Sequence, residues 1–166
     1  GIAKWTKAIM DEYPHFNIMG EVWLNQSAQV SYWQKDSPIS AIQSYNTYLP
    51  TVMDFPLFNA IGEAFRVAPS WDKGMMQLYD NLANDFLYKD INNLLIFAEN
   101  HDTARLNHVY PKIADYKLII SMLATARGIP QLYYGSEIGM AGDKSKGDGH
   151  IRQDFPGGWE GDAQNA

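Results

Sequence analysis

The stretch from Leu94 to Leu106, LLIFAENHDTARL, holds the residues best placed to do chemistry. An apolar run stops abruptly at Asn100, His101 and Asp102, and a helix-like segment follows. Strands buried on both faces of a parallel sheet read as such uninterrupted apolar runs. Polar side chains at the C-terminal ends of those strands are where barrel and doubly wound α/β proteins keep their reactive groups. The segment therefore offers a carboxylate, Asp102, and a hydrogen-bonding imidazole, His101. Both also have a structural reading. Asp102 and Thr103 can cap the following helix, and His101 can be a satisfied core histidine.

Other strand ends add groups. The run NIMGEVW places Glu21 after Gly20 and close to Trp23. A carboxyl beside an indole at the end of a buried strand is expected to be partly desolvated, which suits it to donate a proton; a glutamate reaching solvent at the sheet rim is the alternative. Asp54, in VMDFP, reads as a cap for the next helix. Gln131 to Gly135 lead to Glu137, with Tyr133 and Tyr134 read as packing residues. Two carboxylates, Glu21 and Asp102, at one end of a sheet are what glycosidic cleavage requires: one protonates the leaving oxygen and the other supports positive charge at the sugar carbon. Aromatic residues make up 13% of the chain and suit stacking on apolar sugar faces. No HExxH or CxxC spacing, strand-following Gly-rich loop or nucleophile elbow occurs.

These groups need elements to position them. A helix is predicted over about Ile2 to Tyr13, with Ile2, Trp5 and Ile9 on one face and Pro14 as its stop. Strands are predicted over Asn17 to Trp23, Val52 to Phe55, Leu94 to Ala98 and Gln131 to Tyr134. Ser27 to Gln34 reads as a short helix or loop. Leu57 to Phe65, Trp71 to Phe86 and Asp115 to Ala126 read as helices, the last closed by Gly128, and Gly139 to Ala166 as a long loop. This alternation argues for an α/β fold with a parallel sheet and outer helices. At 166 residues it supplies about half of a (β/α)₈ barrel.

Composition narrows the partners. With 46% hydrophobic and 19% charged residues the chain is globular. A net charge of −6 without a basic stripe argues against nucleic acid. No apolar run is long enough to span a bilayer, so no membrane is expected. The absence of cysteine excludes disulfides and thiolate metal sites and leaves the compartment open.

Taken together, GEVW (20–23), VMDFPL (52–57), FAENHDTARL (97–106), GIPQLYYGSEIGM (128–140) and HIRQDFPGGW (150–159) resemble, in order, segments of the α-amylase family of glycoside hydrolases, and within it the neopullulanase and cyclomaltodextrinase branch. The resemblance implies a partial (β/α)₈ barrel covering roughly strands five to eight, with residues 1–166 as the C-terminal half of a catalytic barrel. Glu21 matches the general acid/base and Asp102 the carboxylate that stabilises the transition state. His101 matches the histidine that hydrogen-bonds the sugar. Asn100, Trp23, Arg152 and Asp154 fall where substrate is bound. The family's nucleophilic Asp lies in a segment resembling G-x-R-x-D that this sequence does not contain.

The resemblance implies a retaining hydrolase of α-1,4 and α-1,6 glucans such as starch, pullulan or cyclodextrins, of which this chain alone would be inactive. A non-catalytic glucan- or protein-binding relative is the rival reading, and transglycosylation would use the same residues. No cofactor is expected in the chain, and the family allows calcium in a full-length parent. A chain that opens inside a helix without Met reads as a piece of something longer, so a missing N-terminal half-barrel or self-association is expected. Export to a periplasm or beyond the cell rests on family analogy alone.

Overall fold

The structure, a computed structural model, describes residues 1–157 and 159–162. The chain forms two compact units, one of Gly1–Phe97 with Leu123–Gln131, the other of Ala98–Met122 with Leu132 onward.

The first unit carries the sheet. Its strands β1 (Met19–Gly20), β2 (Thr51–Met53), β3 (Leu94–Ile96) and β4 (Ile129–Pro130) lie parallel in sequential order. Gly20 pairs with Val52, Val52 with Leu94, and Leu95 with Ile129. Both central strands are buried along their whole length, which explains why they read as unbroken apolar runs. Helices α1 (Ile2–Glu12), α2 (Ser27–Ser31), α3 (Pro38–Ala41), α4 (Phe55–Arg66) and α5 (Met76–Leu82) belong to the same unit. Right after the ends of β2 and β3, Phe55 meets Phe97 edge-on at 5.1 Å and Phe58 stacks on Phe97 at 5.2 Å. Each such ring contributes about 1.5–3 kcal/mol through burial.

Asp54 caps α4, accepting the Leu57 N–H at 3.0 Å, and Pro56 sits in the first helical turn, where its missing N–H costs nothing. Arg127 ties the same carboxylate at 2.7 Å and Asp85 at 2.6 Å. Burial pushes the Asp54 carboxyl above the usual range, while Arg127 and the Leu57 N–H pull it back. Gly128 bends the chain into β4 at φ +97°, where a Cβ would lie 2.6 Å from the Leu94 carbonyl oxygen; only glycine fits.

The second unit holds α6 (Leu106–Val109), the start of α7 (Ile113–Thr125) and α8 (Asp148–Ile151), with single 3₁₀ turns at Ser136–Ile138 and Lys144–Lys146.

Several sequence expectations change. β1 is two residues long, not seven. The predicted helix over Trp71 to Phe86 is α5 plus a 3₁₀ turn at Asp85–Leu87, and of the apolar residues whose spacing predicted it, Met75, Leu78, Leu82 and Phe86, only Leu78 is buried. The strand predicted over Gln131 to Tyr134 is displaced to Ile129–Pro130. Gln131 still donates to the Ile96 carbonyl at 2.8 Å, but Leu132 is exposed and the chain has left the ladder. Pro130 lacks an N–H and sits in an edge strand, as proline requires. The loop expected after Gly139 contains the 3₁₀ turn and α8; its residues 158 and 163–166 lie outside the described residues.

Candidate active site

His101 and Asp102 occupy a turn five residues beyond β3 in the chain, built by the polar residues around them. The Asn100 side-chain oxygen accepts the Asp102 N–H at 2.8 Å, and the Thr103 hydroxyl accepts the Asn100 N–H at 2.9 Å. Asn100 is fully buried, so the turn is anchored from beneath. Asp102 itself is half-buried and engaged through both oxygens. Arg152 donates to Oδ1, and His101 Nε2 lies 3.2 Å from Oδ2. Arg152 also donates from Nε to the His101 carbonyl at 2.8 Å and pairs with Asp148 at 3.0 Å. The Lys144 ammonium, foremost, and then Arg152 hold the Asp148 carboxyl below the usual carboxylate range. The outcome is a line of alternating charge running Lys144, Asp148, Arg152 and Asp102, with the His101 imidazole at its end. An ionised carboxylate is acceptor-only, so Asp102 presents a fixed pair of acceptors suited to sugar hydroxyls.

The structural readings of this motif are overturned. Neither Asp102 nor Thr103 caps a helix, because α6 begins only at Leu106, whose N–H is bonded by Glu99 Oε2. His101 is no core histidine, its side chain being 56% exposed.

Beneath the turn lies a cluster the sequence did not single out. Glu99 accepts the Ser136 hydroxyl through Oε1 and pairs with Arg105 Nε at 3.5 Å through Oε2. Arg105 is 1% exposed, donates to the Tyr134 carbonyl and lies 4.3 Å from the Tyr133 ring centroid. Tyr133 and Tyr134 thus pack, as expected, and they pack on a cation. Burial, with Tyr134 beside it, pushes the Tyr133 phenol up to about 12. The available signal was a Glu and an Arg bracketing the NHD motif inside an otherwise apolar neighbourhood.

In the first unit Glu21 directly follows β1 and is exposed, so the desolvating environment expected from Trp23 is not formed. The Trp23 indole instead stacks on Phe55 at 4.7 Å. Asp54 caps α4, as its sequence context predicts. Asp154 and Glu137 are exposed. Among the described residues no three His, Asp or Glu side chains gather as a cation would need.

The family described as alpha amylase, catalytic domain, matches residues 2–161. A beta/alpha-amylase from Paenibacillus polymyxa is 31% identical over 80% of this chain and 10% of its own length. Alpha-amylase 3 of Dictyoglomus thermophilum is 31% identical over 86% of this chain and 26% of its own. The solved structure of the alpha-amylase from Geobacillus thermoleovorans, complexed with acarbose, superposes with a TM-score of 0.71 at 27% identity, covering 92% of this chain and 32% of that one. The chain thus spans about a quarter or less of these curated relatives. Its parallel sheet and helices form part of a (β/α)₈ barrel, and the chain belongs to the alpha-amylase catalytic-domain family.

Proposed function

We propose that this chain is the second half, roughly strands five to eight, of the catalytic barrel of a retaining α-glucan hydrolase of the neopullulanase-like branch. The observation that carries the reading is the Asp102 carboxylate, held through both oxygens by Arg152 and His101 in the turn that follows β3. The catalytic-domain match supplies the chemical context.

Glu21 protonates the glycosidic oxygen as the leaving sugar departs. The anomeric carbon, carrying oxocarbenium character, is captured by a nucleophilic aspartate from the G-x-R-x-D segment that this sequence lacks. Glu21, now a carboxylate, takes a proton from water, which attacks the glycosyl–enzyme bond and releases the sugar with retained configuration. The exposure of Glu21 leaves it open to both substrate oxygen and water.

Asp102 and His101 bind hydroxyls beside the reacting carbon. Asp102 binds them most tightly when the ring flattens, so its contribution appears in the transition state. Asn100 sets the turn, while Trp23, Arg152 and Asp154 contact neighbouring sugar units. The substrate is an α-1,4-linked glucan, with α-1,6 links also within the branch's range.

Glu21→Gln in the full-length parent should lower kcat on maltooligosaccharides by about a thousandfold or more, since a positioned general acid contributes 10²–10⁴-fold. Glucan affinity should stay within a few-fold of the parent's. Turnover near that of the parent would remove Glu21 from this role and move weight to a glucan-binding protein without catalysis.

A further inference from the structure

Arg152 and Asp102 are both partly exposed, at 39% and 25% of their side-chain surface. An exposed ion pair is worth little by itself, because two mobile side chains must be held in one geometry against solvent. What fixes this pair must therefore come from the backbone on either side of it. Both backbones lead to Arg105.

On one side, Arg105 lies three residues beyond Asp102 and its Nε faces Glu99 Oε2 at 3.5 Å, so this buried pair brackets the 100–102 turn. On the other, the Arg105 N–H donates to the Gly142 carbonyl at 2.9 Å, in the segment that leads through α8 to Arg152. That segment is closed on itself by the Asp143 N–H, which donates to His150 Nδ1 at 2.9 Å. A third link runs from the Arg105 guanidinium to the Tyr134 carbonyl. Two glycines leave room for the side chain. A Cβ on Gly135, at φ +83°, would fall 2.8 Å from the guanidinium. One on Gly142 would fall 2.6 Å from Arg105 Cγ and 2.6 Å from the His150 carbonyl oxygen, so the Arg105 stem and the backbone entering Arg152 meet across Gly142.

Stability is no reason for a cation in this place. Apolar residues of similar volume often replace a buried ion pair without loss, and Arg105 Nη1 is buried with no hydrogen-bond partner. What a guanidinium adds is direction, because its planar fork fixes several donors at once. We infer that Arg105 is a positioning residue: it sets the 100–102 turn against the 142–152 segment and so seats Arg152 on Asp102. Its bearing on turnover rests on the function proposed above.

The full-length parent tests this role. The Arg152 Nε–H donates to the His101 carbonyl at 2.8 Å, so its ¹H–¹⁵N cross-peak, assigned by its loss in Arg152→Lys, reports the seat directly. Glu99→Gln combined with Arg105→Met removes both buried charges at similar volume. Gly142→Ala wedges Arg105 away from the Arg152 segment without touching a charge. Each should move the Arg152 cross-peak toward that of a free arginine, while the urea midpoint of the paired variant stays near the parent's. The kcat on maltohexaose should fall about tenfold to hundredfold, the cost of a misplacement of about 1 Å, with KM within about threefold. In an Asp102→Asn background the same substitutions should cost almost nothing further, because they act through one group. An Arg152 cross-peak unmoved in both variants, or a kcat loss that adds in full to that of Asp102→Asn, would overturn the positioning role. Parent-like turnover of Asp102→Asn would instead overturn the proposed function, with the Arg152 cross-peak still deciding what Arg105 does. If the paired variant fails to fold, Gly142→Ala decides.

Discussion

Glu99 stands one residue before the Asn100–Asp102 motif and does what the sequence suggested Asp102 or Thr103 would do: it meets the first N–H of α6. The same carboxylate faces Arg105, the most deeply buried cation in its unit, and the Ser136 hydroxyl. Breaking a buried ion pair from one side leaves an uncompensated charge, which costs about 3–5 kcal/mol. Glu99→Gln should therefore lower the urea midpoint strongly, because Arg105 cannot reach water. The variant's loss should greatly exceed that of Glu137→Gln, an exposed carboxylate on the neighbouring 3₁₀ turn. Equal midpoints for the two variants would show that the Arg105 charge is compensated elsewhere. At this scale the sequence was legible where residue type alone dictates local structure, as at Asp54, which caps α4. It was silent about Arg152 reaching Asp102 from fifty positions away, because that contact depends on where the 148–152 segment folds back.

At the scale of elements, periodicity read α1, α4 and α7 to within a few residues, since each is long and has a stop or cap in its own sequence. The short elements escaped. β4 is two residues long, and its apolar neighbours at 132–134 look equally strand-like in sequence, although Tyr133 and Tyr134 pack on Arg105 instead. α8 is one turn with a single buried apolar residue, Ile151, so no hydrophobic pattern announces it. The Lys144–Asp148 and Asp148–Arg152 pairs lie on its exposed side. The sign of their pH dependence follows from the lowered Asp148 carboxyl. A carboxyl with a depressed folded value stabilises fully above its ordinary range, near 3.9, and that contribution disappears as the pH falls through the folded value. The segment 144–152 should thus stay ordered at pH 5 and loosen only in stronger acid. Carboxyl ¹³C titration of Lys144→Ala should move the Asp148 midpoint upward toward the ordinary value. An unmoved midpoint would mean that Lys144 does not hold it.

For the whole molecule, the exposed surface bears on what the chain does in solution. A parallel sheet is ordinarily covered on both faces and, in a barrel, has no free edge. Here β1 and β4 are the outer strands of a four-stranded sheet. Pro130 removes one donor from the β4 edge, but β1 carries no such device. Large apolar side chains also lie open, with Trp71 at 94% exposure, Phe86 at 77%, and Tyr79 of α5 also exposed. Apolar patches of this kind are rare on soluble monomers and mark surfaces that associate. The apolar spacing of Met75, Leu78, Leu82 and Phe86 made Trp71 to Phe86 read as one helix, whereas α5 covers only Met76–Leu82 and of those four only Leu78 is buried. We predict that the 166-residue chain self-associates at micromolar concentration, giving a mass by light scattering above that of one chain. Replacing Trp71, Tyr79 and Phe86 together with Ser should shift the distribution toward the monomer without lowering helicity, because none of the three is buried. A monodisperse monomer before substitution would rule out self-association through either the edge or these exposed side chains. Association unchanged by the triple substitution would assign it to the β1 edge, where Met19→Pro, removing a backbone donor from a two-residue strand, should then abolish it.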